Sequence, residues 1–209
     1  MLFLPVYVHF AGATEAVPVF TIAGLLGNLT RAVMGFHTIA WRKVVFFCFG
    51  ALPGAILGAE IFVELPPAML RKALSVFLIL LIVGRKVMLK KPWPDWALVP
   101  GGFGSALLSG VFGFAGPFSA AIFFSLGLSP LSYIASEATT AVFTHVTKTI
   151  AYSSLSVLSN ETIVRGVYFG LVMAAGAWGA KRWLLKIPAE KYSRAIEAVF
   201  VIVAVSLLL

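Results

Sequence analysis

The sequence is short of charge, and shortest of acid. Asp, Glu, Lys and Arg make up 11% of its 209 residues, and only 8 residues are acidic. Average soluble domains carry roughly 25% charged residues. With 60% hydrophobic residues, a water-soluble globule of this size would lack the polar surface to cover its core. The same composition excludes a disordered chain, which needs low hydrophobicity and high charge. A single cysteine, Cys48, excludes an intrachain disulfide and any two-thiol relay. The three histidines, His9, His37 and His145, are too far apart in sequence to form a metal-ligand motif. No nucleotide-binding loop or paired catalytic carboxylate is present. An enzyme is therefore not expected, and neither is a metal nor a cofactor. The 16 basic residues would suggest nucleic acid in a soluble protein. Here they fall between apolar runs, which points to orientation in a lipid bilayer and to no nucleic-acid partner.

What the chain has in abundance is apolar runs long enough to cross a bilayer, which takes about 20 helical residues. They cover residues 11–34, 44–63, 68–89, 98–126, 132–155, 163–184 and 189–209. Pro66 and Pro67, Pro92 and Pro94, Pro130 and Pro188 fall between them, and Trp41, Trp93, Trp96 and Trp183 sit at their ends as an aromatic belt would. The first ten residues are apolar but too short to span. No Lys or Arg precedes Arg31, so no removable signal is expected. The expected fold is all-α, a polytopic helical membrane protein. Gly50, Gly54 and Gly58 recur every fourth residue, as do Gly166 and Gly170. Such spacing predicts close helix packing in lipid.

Two stretches resemble each other. The first holds Asn28, Thr30 and Arg31, then Gly54, Gly58 and Ala59, then Leu65-Pro66 and Arg71. The second holds His145, Thr147 and Lys148, then Gly176, Gly179 and Ala180, then Ile187-Pro188 and Arg194. This predicts two membrane repeats, residues 1–96 and 97–209. The second opens on a glycine-rich segment, Gly101-Gly102-Phe103-Gly104 and Gly110 to Pro117. The first has no counterpart, so the chain is expected to be either part of a longer protein or one with a degenerate copy.

Positive charge bears on topology. If residues 98–126 cross the membrane, the basic residues divide nine against seven between the two sides. If they dip in and return as two half-helices, the division is twelve against four. The second split restores a positive-inside bias, with the 90–96 loop cytoplasmic. It also leaves three spans in each repeat, and an odd number makes the repeats inverted, as in many secondary transporters.

The Gly110-x-x-Gly113-x-x-Gly116-Pro117 turn, Leu126-Gly127-Leu128, Asn28-x-Thr30-Arg31, Gly54-x-x-x-Gly58-Ala59 and His145-x-x-Lys148 together resemble the TauE/SafE sulfite-exporter-like permeases. The resemblance implies a duplicated membrane core, a bacterial inner-membrane location and transport of a small anion such as sulfite, thiosulfate, a sulfonate or a related organic acid. A non-transporting scaffold, an accessory subunit or an incomplete piece of a permease is the alternative. A homo-oligomer is left open.

Polar residues inside spans are site candidates because lipid penalises them. At about 100° per residue, Glu137, Thr140, Thr144, His145, Lys148 and Tyr152 share one face of the 132–155 helix. Lys148, Thr144 and the Tyr152 hydroxyl offer an anion positive charge and donors. Glu137 and His145 are the candidates for proton coupling. The alternative is a structural network joining Glu137 to Lys148 or His145. Thr14, Thr21, Asn28 and Arg31 form a weaker counterpart in the first repeat. The planar fork of Arg31 suits two oxygens, or the side chain snorkels to headgroups. The Gly113–Pro117 turn, with Gly116 and Ser119, would open a half-helix whose N-terminal N–H groups favour an anion. The alternative is a tight bend packed by glycine. Glu15 and Glu197 are further acids in apolar runs with no evident partner.

Overall fold

The computed structural model describes residues 3–70, 73, 76, 94–113 and 116–184. The spans expected at 68–89 and 189–209, with Glu197, therefore lie mostly or wholly outside the described residues. Seven helices are described: α1 (Phe3–Ala11), α2 (Ala13–Met34), α3 (Trp41–Glu64), α4 (Leu98–Phe112), α5 (Gly116–Ser125), α6 (Pro130–Ser154) and α7 (Asn160–Leu184). One-turn 3-10 helices precede α3 (Phe36–Thr38) and α4 (Asp95–Ala97). Among the described residues α2, α3 and α7 are long and apolar enough to cross a membrane. At 25 residues α6 would reach about 37 Å, longer than a hydrocarbon core of about 30 Å. Its polar residues set it apart in composition, and it hides them between α2 and α3. Outward-facing apolar side chains such as Phe10, Phe49, Tyr168 and Trp178 are 65–82% exposed, as a lipid-facing surface requires.

Side-chain contacts fix the direction of each helix. Gly50 faces Val99 and Phe103, Gly54 faces Phe103, and Gly58 faces Leu107 and Gly110. Helices α3 and α4 therefore run parallel, backbone on backbone. The four-residue glycine spacing is a packing device, as expected. Helix α4 ends at Gly113, whose φ of +86° suits a residue without a Cβ. A Cβ there would also press on Leu4 and Val17 at 3.1 Å. The chain then turns back. Ile122 and Phe123 of α5 pack with Phe47 and Leu98, at the end where α3 and α4 begin, and the Phe47 and Phe123 rings lie 5.3 Å apart. Helix α6 starts at this same end. Ser129 caps it, accepting from the Ser132 N–H at 3.4 Å, with Pro130 in the first turn. Ala135 packs on Ile39 and Val44, the Ala40 N–H donates to Ser136 Oγ at 2.8 Å, and far along α6 Tyr152 packs on Phe62.

Helix α2 runs antiparallel to α6, with Gly35 against Ala135 and Gly24 against His145. Helix α7 lies parallel to α2, Gly166 on Ile22 and Gly170 on Leu26. The bundle is thus an antiparallel α2–α6 pair flanked by α7 on α2 and α3 on α6.

An ion-paired clasp holds α3 to the approach of α4. Asp95 bonds the Lys43 ammonium, and Arg42 Nε is 2.8 Å from its other oxygen. The Lys43 hydrogen bond, helped by the charges of Lys43 and Arg42, holds the Asp95 carboxyl below its ordinary value. A depressed carboxyl contributes stability above its ordinary titration range and loses it as pH falls through the lowered value. Asp95→Asn should therefore lower the unfolding temperature at neutral pH, and its difference from the parent should close below about pH 4. Thermal scans of both proteins in detergent across that range check it.

Candidate functional site

The predicted polar face of α6 is buried throughout: Glu137, Thr140, Thr144, His145, Lys148 and Tyr152 are all within the bundle. The structure nevertheless divides these residues into two clusters. Eleven positions separate Glu137 from Lys148, about 16 Å along a helix. The structural network offered as the alternative does not join Glu137 to Lys148, whose partners lie elsewhere.

The first cluster joins three helices at Glu137. Its Oε1 accepts from Ser119 Oγ of α5 at 2.9 Å, and its Oε2 lies 3.4 Å from Arg31 Nη1 of α2. Arg31 also bonds Asn28 Oδ1, and the Asn28 amide donates to the Gly24 carbonyl at 2.7 Å. Arg31 therefore does not simply reach for headgroups, although its side chain is 39% exposed. Ser119 sits in the first turn of α5, its hydroxyl 3.1 Å from the Gly116 carbonyl, with Pro117 between them. A carboxylate thus stands beside the opening turn of α5, where the helix dipole favours negative charge.

The second cluster closes the C-terminal end of α4. Lys148 is fully buried. Its ammonium donates to the Gly113 carbonyl at 3.0 Å and to Ser109 Oγ at 3.3 Å, and lies 5.9 Å from the centre of the Tyr152 ring. The Tyr152 hydroxyl donates to the Gly110 carbonyl, so that donor is already engaged. A cation and a hydroxyl thus serve carbonyls that the end of α4 leaves without helical partners. Among the described residues no carboxylate is paired with Lys148.

Between the clusters, Thr144 donates to the Thr140 carbonyl at 2.9 Å and Thr140 to the Glu137 carbonyl at 2.8 Å. The hydroxyl protons are used inside α6, leaving oxygen lone pairs rather than donors. His145 is 5% exposed and its Nδ1 has no hydrogen-bond partner. Its ring packs edge-on to Phe20 and over Gly24, where a Cβ would stand 2.7 Å from Nε2. Gly24 under His145 and Ser109 beside Lys148 belong to this buried polar region, and sequence reasoning passed over both. Gly24 lies one turn before Asn28, but nothing local marks it as the seat of an imidazole.

Other predictions resolve simply. Glu15 is paired with Arg165 and accepts from the Tyr7 hydroxyl at 2.9 Å, and Arg165 also bonds Glu161. Thr21 donates to the Val17 carbonyl within α2. A half-open groove of 310 Å³ between α3 and α6, lined by Ile56, Glu60, Thr147 and Ile150 among others, touches neither cluster. Among the described residues no group of His, Cys, Asp and Glu could hold a metal.

The family model described as Sulfite exporter TauE/SafE matches residues 1–207. No curated protein and no solved structure matches the chain.

Proposed function

We propose, from the premise that this chain belongs to the TauE/SafE sulfite exporter family, that it carries a small oxyanion or sulfonate across the bacterial inner membrane by alternating access. Family membership makes it an integral, multi-pass membrane transporter of an anion, and not an enzyme. The observation that carries the site reading is the convergence of Arg31, itself held by Asn28, and Ser119 on one carboxylate at the start of a broken helix. That donor set suits any small oxyanion. Gly113, Gly116 and Pro117 make the break, and Lys148, Thr144 and His145 form the next stage of the path. A homo-oligomer is compatible with the exposed apolar faces.

The packing directions support a re-entrant α4–α5 hairpin. The start of α6 lies beside Gly35, and Asp95 lies beside Arg42 and Lys43, so the approaches to α4 and α6 share one end of the bundle. The parallel pairs α2–α7 and α6–α3 flanking an antiparallel α2–α6 pair support two inverted repeats. In that correspondence Asn28 and Arg31 match His145 and Lys148.

Flux of labelled sulfite, thiosulfate and a sulfonate into liposomes containing the purified chain is the test. Saturable flux of at least one anion is expected, with a loss of about tenfold or more in Gly116→Leu, since even one hydrogen bond to a charged group is worth about 1.5–3 kcal/mol. Inactivity across the panel overturns the reading. Cysteine labelling that places residues 127–131 opposite residues 94–97 overturns the hairpin.

A further inference from the structure

We infer that the Glu137 carboxylate is a tethered stand-in for the transported anion, so that each anion bound is accompanied by one proton taken up on Glu137. This rests on the anion-transport reading and adds its coupling.

Glu137 presents a planar pair of oxygens to a guanidinium on one side and to a hydroxyl on the other. The same two groups are the strongest donors that the broken helix and α2 offer an incoming oxyanion. Two anions cannot share them. While Glu137 is charged it occupies both donors and repels a second negative group at the same point. Adding a proton removes the charge, weakens the pairing with Arg31 and frees Ser119 Oγ–H to donate elsewhere. The balance is simple: the carboxylate gains one proton and becomes a carboxylic acid, and the anion takes its place beside Arg31. A monovalent sulfonate then moves without net charge and divalent thiosulfate moves with one net negative charge.

The surroundings leave Glu137 as the carboxylate of this site. On α2 the facing charge is Arg31. Helices α4 and α5 contain no titratable residue. On α3, Arg42 and Lys43 are held by Asp95, the Cys48 thiol packs against the Ile39, Val44 and Ala135 cluster, Glu60 lines the outer groove and Glu64 ends the helix. The 3-10 turn before α3 carries His37, which is exposed. On α6 itself His145 and Lys148 lie two and three turns further along. The buried, unpartnered Nδ1 of His145 is the other proton acceptor in reach of the path, and the test separates the two.

The probes are thiosulfate and methanesulfonate, both fully ionised from pH 5.5 to 8.5, so any proton taken up belongs to the protein. Titration calorimetry of the full chain in detergent gives the affinity at each pH, and a pH-indicator dye in weak buffer counts protons. For the parent protein we expect affinity to fall toward a limit of about tenfold per pH unit at high pH, as one-proton linkage requires, with up to one proton taken up per anion. Glu137→Gln should bind as tightly at high pH as the parent does at low pH, with no slope. In liposomes it should still exchange labelled anion but not accumulate it on a proton gradient. A parent protein that binds anion with no proton uptake across the range overturns the inference. So does a slope that survives in Glu137→Gln and vanishes in His145→Gln. No binding of either probe at any pH overturns instead the anion reading beneath it. If Glu137→Gln does not fold, the proton counts on the parent and on His145→Gln decide: uptake that is lost in His145→Gln overturns the inference.

Discussion

Replacing Gly50 with leucine should leave little or no folded protein to extract from the membrane. A Cβ at Gly50 would overlap the carbonyl oxygen of Val99 and lie 2.8 Å from the Phe103 amide nitrogen. These are backbone atoms of a neighbouring helix and cannot rotate away. The contact is reciprocal, because a Cβ at Gly110 would lie 2.6–2.8 Å from the backbone of Gly58 and Ala59. Relief requires α3 and α4 to separate along their length. Overpacking a core typically costs about 1–3 kcal/mol where side chains can adjust, and here they cannot. Separating the two helices forfeits their whole contact, a loss comparable with a total stability of about 5–15 kcal/mol, so little of the chain should stay folded. The control is Gly176→Leu, on α7, where nothing among the described residues lies within 4 Å of an added Cβ. It should unfold close to the parent temperature. Size-exclusion profiles and thermal scans of fluorescently tagged variants distinguish the two. A Gly50→Leu protein that elutes and melts like the parent would mean that α3 and α4 do not meet as described.

Those glycines were legible in the sequence for the reason they are fragile. Gly50, Gly54 and Gly58 at four-residue spacing have few uses in a membrane helix other than close approach. The helix break was legible too, since Gly113, Gly116 and Pro117 fall within an otherwise continuous apolar run. What could not be read was the partner. Periodicity shows that α3 has a small-residue face but not that α4 lies against it in parallel. The same limit blurred the site. Helical angle put Glu137 and Lys148 on one face, which is correct, but angle carries no depth, and about three turns separate them. The partner of Glu137 is Arg31 on a different helix, and no local pattern links an arginine near the end of one helix to a glutamate in the middle of another. Ser109 was invisible for a similar reason. As one serine in an apolar run it gains meaning only when Lys148 reaches across from α6 to it.

Lys148→Met should abolish transport while leaving the fold largely intact, and this pair of outcomes separates an anion ligand from a helix cap. Methionine keeps the unbranched stem that packs inside the bundle and removes the charge. Exchanging a buried ionic group for an apolar one of similar volume is often neutral or stabilising. Against that gain stand the lost hydrogen bonds to Gly113 and Ser109. Leaving the Gly113 carbonyl without its donor costs about 1–3 kcal/mol. The terms are similar in size and opposite in sign, so the unfolding temperature should move by only a few degrees, at about 2–4 °C per kcal/mol for a chain of this length. Transport has no such compensation. Removing one member of a buried charge pair costs about 2–5 kcal/mol, and at 1.4 kcal/mol per tenfold anion flux should fall by about 30-fold to a few thousand-fold. Lys148→Arg should recover only part of that flux, because a planar fork does not fit where a point charge meets the end of α4. Initial rates of labelled anion flux, measured beside the melting curves, give both quantities from one preparation. Normal flux in Lys148→Met would assign Lys148 to capping alone and confine the anion path to Arg31, Asn28 and Ser119.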